Sequence, residues 1–112
     1  MGRLPVPFAT RQAGRLHHAT GKTMARRSVY FTGHVQGVGF RYTAVSVARR
    51  YAVTGYVQNL PDGRVVLVAE GEGAELDRFV SDLGETMLGY IRSTQSECAP
   101  PTGEFRGFQV RY

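Results

Sequence analysis

The sequence predicts an α+β fold: an antiparallel sheet with two helices packed on one face. Three observations lead there. Stretches 42–52 and 74–85 repeat apolar residues at helical spacing. Stretches 28–33, 53–58, 64–69, 91–98 and 105–112 are short and bounded by turn residues, as strands are. Their order is β-α-β-β-α-β with a final strand, the split βαβ or ferredoxin-like arrangement.

Residues 1–24 show no sustained period. Pro5 and Pro7 interrupt the start, and Gly14 and Gly21 loosen the rest. The segment lacks the apolar core of a secretory signal. It is arginine-rich and acid-free, as mitochondrial transit peptides are, but any amphipathic helix in it is short. Met24 followed by Ala25, Arg26 and Arg27 is an ordinary lead into a first strand, so translation starting there is the alternative. The expected organisation is a disordered or extraneous extension over 1–24 and one domain over 25–112.

In the strand at 28–33, Val29 and Phe31 alternate with Tyr30 and Thr32. In the helix at 42–52, Ala44, Val45, Ala48, Tyr51 and Ala52 share a face, and Arg49 and Arg50 fall in the last turn, where cations suit the helix dipole. Asn59-Leu60-Pro61-Asp62-Gly63 is a turn by composition, so the strands at 53–58 and 64–69 pair as a hairpin. Val65-Val66-Leu67-Val68 is apolar enough for a central strand. The second helix puts Leu76, Phe79, Val80 and Leu83 on one face, with Glu75 and Asp77 in its first turn. Residues 87–90 connect, 91–98 form a polar strand, and a loop containing Pro100 and Pro101 precedes a last strand in which Phe108, Val110 and Tyr112 alternate. Phe105 and Phe108 read as core.

The chain has 112 residues, enough for one domain, and 42% of them are hydrophobic, which argues against global disorder. No apolar run approaches a membrane-spanning length. Cys98 has no partner for an internal disulfide and reads as a passive residue. The net charge of +5 raises the question of a nucleic-acid partner. Its distribution answers against one: residues 1–27 carry +6 with no acid, and residues 28–112 carry eight arginines against nine acids, −1.

The chemistry centres on Gly33-His34-Val35-Gln36-Gly37-Val38-Gly39-Phe40-Arg41, which leaves a strand and opens a helix. Gly37 and Gly39 admit backbone conformations that turn successive N–H groups inward as a nest. The helix start adds the positive end of its dipole, and Arg41 adds a planar fork matched to phosphate oxygens. The stretch is neither a P-loop nor a dinucleotide fingerprint. Spacing alone equally fits a tight turn with a surface arginine. In a split βαβ unit the first two strands run parallel, so Asn59, at the end of the second, comes near residues 36–41. No metal cluster is visible: His17 and His18 lie in the extension, and His34 stands alone.

Gly33-x-Val35-Gln36-Gly37-Val38-x-Phe40-Arg41 resembles the signature of the acylphosphatase family. Gly55-Tyr56-Val57-Gln58-Asn59, Asp62-Gly63-x-Val65 and Glu70-Gly71 match it further along, and the resemblance runs from about 28 to 112. It implies the same ferredoxin-like fold and hydrolysis of small acyl phosphates without a cofactor or metal. Arg41 binds the phosphate in this reading, Asn59 positions the attacking water, and Gln36, Gly37, Val38, Gly39 and Phe40 form the substrate loop. Val38 and Phe40 are expected to pack while their N–H groups serve the anion. Family members are commonly small cytoplasmic monomers, with no nucleic-acid or membrane partner. Tyr56 stands where the family often has tryptophan, and Gly39 replaces a side chain at a free position. The alternative is a non-catalytic module of the same fold that binds phosphorylated ligands or RNA, with Tyr30 as an exposed platform for a base.

Overall fold

The structure, a computed structural model, describes residues 22–112; the extension expected over 1–24 lies outside the described residues as far as residue 21. The elements are β1 (Met24–Gly33), α1 (Phe40–Ala48), β2 (Val53–Asn59), β3 (Val65–Glu72), α2 (Gly73–Thr86), β4 (Ile91–Ala99) and β5 (Phe108–Arg111), with a 3-10 turn at Leu88–Tyr90. One sheet has the order β4-β1-β3-β2-β5. Both helices pack on one face of it.

The alternation in β1 decides that face. Ala25, Val29 and Phe31 point to the helices and are buried, whereas Ser28 and Tyr30 point away and are half-buried. Val57 of β2, Leu67 of β3, and Leu76, Phe79 and Leu83 of α2 complete the core, each shut off from solvent. Arg27 falls in the same inward row and is only 9% exposed. Its charge is met by Asp77 on α2.

β3 is central, as its apolar run predicts: it pairs antiparallel with β1 (Val29 opposite Leu67) and with β2 (Val57 opposite Leu67). The β2–β3 turn is closed by Leu60 N–H to the Arg64 carbonyl at 2.8 Å and by the Asp62 carboxylate, which accepts from the Arg64 backbone N–H at 3.1 Å.

The structure departs from the sequence reading at three places. First, the sheet is mixed: β5 runs parallel to β2, with Gln58 opposite Arg111. After β4, residues 100–107 cross the helix-free face as an irregular strap, and the chain enters β5 already reversed. The strap is pinned at Glu70, whose buried carboxylate accepts from the backbone N–H groups of Thr102 and Gly103, each at 2.9 Å. At its far end Gly55 N–H donates to the Gly107 carbonyl at 2.9 Å. Phe105 therefore sits in the strap, half-buried against Tyr56 at 5.7 Å, outside the last strand. Second, the last strand ends at Arg111, so Tyr112 lies beyond β5 and is 81% exposed. Third, α1 begins earlier and ends earlier than 42–52. Phe40 anchors its first turn against Phe31, ring to ring at 5.0 Å. Tight bonds from Arg50 N–H to Val47 O and Tyr51 N–H to Ala48 O, each 3.0 Å, turn the chain toward β2, leaving Arg50 outside the helix and Ala52 exposed.

Candidate active site

The segment between β1 and α1 adopts the left-handed conformation at Gly37 (φ 79°) and at Gly39 (φ 77°, ψ 17°). A side chain at either position meets no neighbouring atom within 4 Å, so glycine is required by backbone conformation and not by space. Gly39 is also the N-cap of α1, and no side chain caps that helix. Its first-turn N–H groups thus lack a side-chain acceptor at the end where the dipole is positive.

Gln36 fixes this loop to the rest of the molecule. Its side-chain amide donates to the carbonyls of Leu60 and Arg64, both at 2.8 Å. The loop is thereby tied to the β2–β3 turn, one residue past Asn59. Val35 and Phe40 are buried on either side and hold the loop from beneath. Val38 differs from expectation. It is 39% exposed, because the left-handed glycines on both sides lift it off the core. His34 is exposed as well.

Arg41, in the first turn of α1, is half-buried and makes no ion pair among the described residues. Its guanidinium carbon lies 5.1 Å from the centre of the Tyr112 ring. The Tyr112 hydroxyl is hydrogen-bonded to that of Tyr42 at 2.9 Å, and this bond chiefly holds the Tyr112 phenol above its usual pKa. Gln58 donates to the Tyr112 carbonyl at 3.4 Å. Tyr112 thus links the helix start to the end of β2. Sequence reasoning missed it, because its role follows from β5 running parallel to β2.

Asn59 is the last residue of β2 and half-buried. Its side-chain oxygen is closed to solvent and accepts no hydrogen bond; among the described residues, only Arg27 Nε shares that condition. A buried polar atom without a partner is uncommon and costs about 1–3 kcal/mol. Two independent ties, Gln36 to Leu60 and Arg41 through Tyr112 to Gln58, bring the loop and this strand end together. Among the described residues, no group of three or more His, Cys, Asp and Glu side chains is placed to hold a metal ion. Tyr30, the platform required by the RNA-binding alternative, is half-buried beneath Arg64, whose guanidinium carbon lies 4.9 Å from the ring centre.

A glycine-turned loop, an uncapped helix start and an arginine without an ion pair among the described residues stand together at the C-terminal ends of β1 and β2 in a split βαβ sandwich. The family model described as acylphosphatase matches residues 27–110. An acylphosphatase of Archaeoglobus fulgidus is 41% identical over 88 residues, 79% of this chain and 84% of the relative. One from a Roseiflexus species is 41% identical over 88 residues, 78% of this chain and 95% of the relative. The crystal structure of an acylphosphatase from Bacillus subtilis superimposes with a TM-score of 0.71 at 27% identity, covering 79% of this chain and 99% of that one. The chain belongs to the acylphosphatase family, enzymes that hydrolyse acyl phosphates.

Proposed function

We propose that this chain hydrolyses small acyl phosphates at the edge formed by residues 36–41 and Asn59, with no metal or cofactor. The substrate phosphate rests in the cradle. The N–H groups of residues 37–40 and the Arg41 fork neutralise its peripheral oxygens, whose charge otherwise repels an incoming nucleophile. The carboxamide of Asn59 hydrogen-bonds the attacking water and holds it in line with the acyl oxygen. The water oxygen bonds to phosphorus as the bond from phosphorus to the acyl oxygen breaks. The carboxylate leaves with that electron pair, and the water proton passes to a phosphate oxygen. A carboxylate is a good leaving group and needs little acid assistance. Asn59 has no useful pKa and does not serve as a base.

The observation that carries this reading is Arg41, which has no ion pair among the described residues, on a loop that Gln36 ties to the strand end bearing Asn59. Gln36 acts as a brace, its side-chain amide already engaged. Val38, Gly39 and Phe40 contribute backbone. The substrate is a small molecule alone, and the enzyme is a cytoplasmic monomer without a nucleic-acid or membrane partner. Among the described residues no helix is long and apolar enough to cross a membrane.

The test is phosphate release from benzoyl phosphate in excess chelator, wild type against Asn59→Ala. Fast release by the wild type and a loss of kcat on the order of a hundredfold in a folded variant are expected, as for removal of one transition-state hydrogen-bonding group. An inactive, folded wild type refutes the reaction. Unfolding of Asn59→Ala assigns the residue a turn role instead.

A further inference from the structure

The cradle does not account for every arginine without an acid. In the near-neutral portion of the chain, Arg50, Arg64 and Arg78 each pair with a carboxylate. Arg106 and Arg111 pair with none among the described residues, yet both line one cavity of about 350 Å3. It lies at the far end of the strap, and none of its lining residues belongs to 36–41 or to Asn59. β2 contributes Gly55 and Tyr56, and β5 contributes Gln109, Val110 and Arg111. Tyr56, Gln109 and Arg111 stand on the helix-free side, since Val57 and Val110, their neighbours in the strands, point into the core.

The chemistry of this cavity is specific in two respects. Its walls are aromatic: Phe105 meets Tyr56 edge-on at 5.7 Å. Its cations are prepared for an oxyanion. The Arg111 guanidinium carbon lies 3.6 Å from the centre of the Tyr56 ring, so the arginine is immobilised while its N–H donors remain without an acidic partner. Glu104, the acid in the lining, is already engaged by Arg26 at 2.8 Å and by the Thr102 hydroxyl at 2.8 Å. The cavity therefore presents two uncommitted cations over an aromatic wall.

We propose that it binds a small, flat organic oxyanion, a carboxylate or phosphate monoester carried on a planar apolar body, at a site separate from the cradle. The head group meets Arg106 and Arg111, and the body packs against the ring edges of Tyr56 and Phe105, whose faces are covered by Arg111 and Arg26. This assignment does not rest on the reaction proposed above.

The test is a titration of the full-length 15N-labelled chain, followed by amide chemical shifts, with benzoate, phenyl phosphate and inorganic phosphate in turn. Saturable shifts at Tyr56, Phe105, Arg106, Gln109 and Arg111 are expected with benzoate or phenyl phosphate, and the tighter probe identifies the head group. Arg106→Gln with Arg111→Gln weakens that binding about tenfold or more, as loss of charge-assisted hydrogen bonds does. Shifts confined to 36–41, no saturation by about 10 mM of either aromatic probe, or unchanged affinity in the double variant overturns the proposal. Inorganic phosphate binding as tightly as the aromatic probes overturns it too, because the flat body then contributes nothing. If the double variant fails to fold, Arg106→Gln alone, at an exposed position, carries the same comparison.

Discussion

Arg41 is held without being neutralised. It has no carboxylate within reach among the described residues and rests on the face of Tyr112 instead. An aromatic platform orients a guanidinium while leaving its charge and its donors for a ligand. Two expectations follow at this scale. Arg41→Lys loses nearly as much kcat/KM for benzoyl phosphate as Arg41→Ala, because a point charge does not reproduce the planar fork; retained activity in the lysine variant refutes bidentate recognition. Tyr112→Leu removes the platform and raises KM roughly two- to fivefold, the size of an exposed cation–π contact. Tyr112→Phe keeps the ring, loses only the bond to Tyr42, and leaves KM close to wild type. Equal effects of the two substitutions assign the role to the hydroxyl pair. The positions of Arg41 at a helix start and of Asn59 at a strand end were legible in the sequence because each sits in a motif beside a recognisable element boundary. Tyr112 was not, because nothing local distinguishes an aromatic that extends a strand from one that passes the sheet edge and supports an arginine.

Among the elements, the strap at 100–107 was the least legible and has the largest consequences. β1, the β2–β3 hairpin and α2 announce themselves through alternation, turn chemistry and helical spacing, all local signals. The strap has no period, and its position is set by Glu70, some thirty residues earlier in the chain, so the direction of β5 could not be read locally. The same contact makes the strap sensitive to acid. Burial alone would raise the Glu70 pKa; the Thr102 and Gly103 N–H groups, the Thr102 hydroxyl and Arg26 outweigh it and hold the carboxyl below its usual value. A group whose pKa is lowered on folding stabilises the fold above its unfolded value, near 4.5, and loses that contribution as pH falls from there. Glu70→Gln, which keeps the shape but not the charge, is expected to cost about 1–3 kcal/mol at pH 7. Thermal melts from pH 7 to pH 3 check this: the wild type loses its advantage over the variant below about pH 4.5. A constant difference across that range shows that the carboxylate charge does not hold the strap.

At the scale of the whole molecule, the charge is unevenly placed while the fold closes without the excess. β1 already pairs at Met24, opposite Glu72, and the carbonyl of Thr23 accepts from Gly73 N–H at 3.1 Å at the start of α2. The sheet and both helices are complete within the described residues. The net −1 of residues 28–112 offers polyanions little attraction, and long-range steering needs an accumulated charge. Removing residues 1–21 takes away Arg3, Arg11 and Arg15 and lowers the formal charge from +5 to +2. It leaves the Thr23 contact in place. The shortened chain is expected to keep its melting temperature and its kcat/KM for benzoyl phosphate within about twofold, because the sheet, both helices and the 36–41 loop are formed by residues it retains. Any salt-sensitive retention of the full chain on heparin or DNA then disappears with the segment, assigning that binding to the extension. Retention that survives the truncation places it on the domain, with the strap cavity and its two free arginines as the first place to look. A fall in kcat/KM of more than tenfold makes the extension part of the catalytic unit.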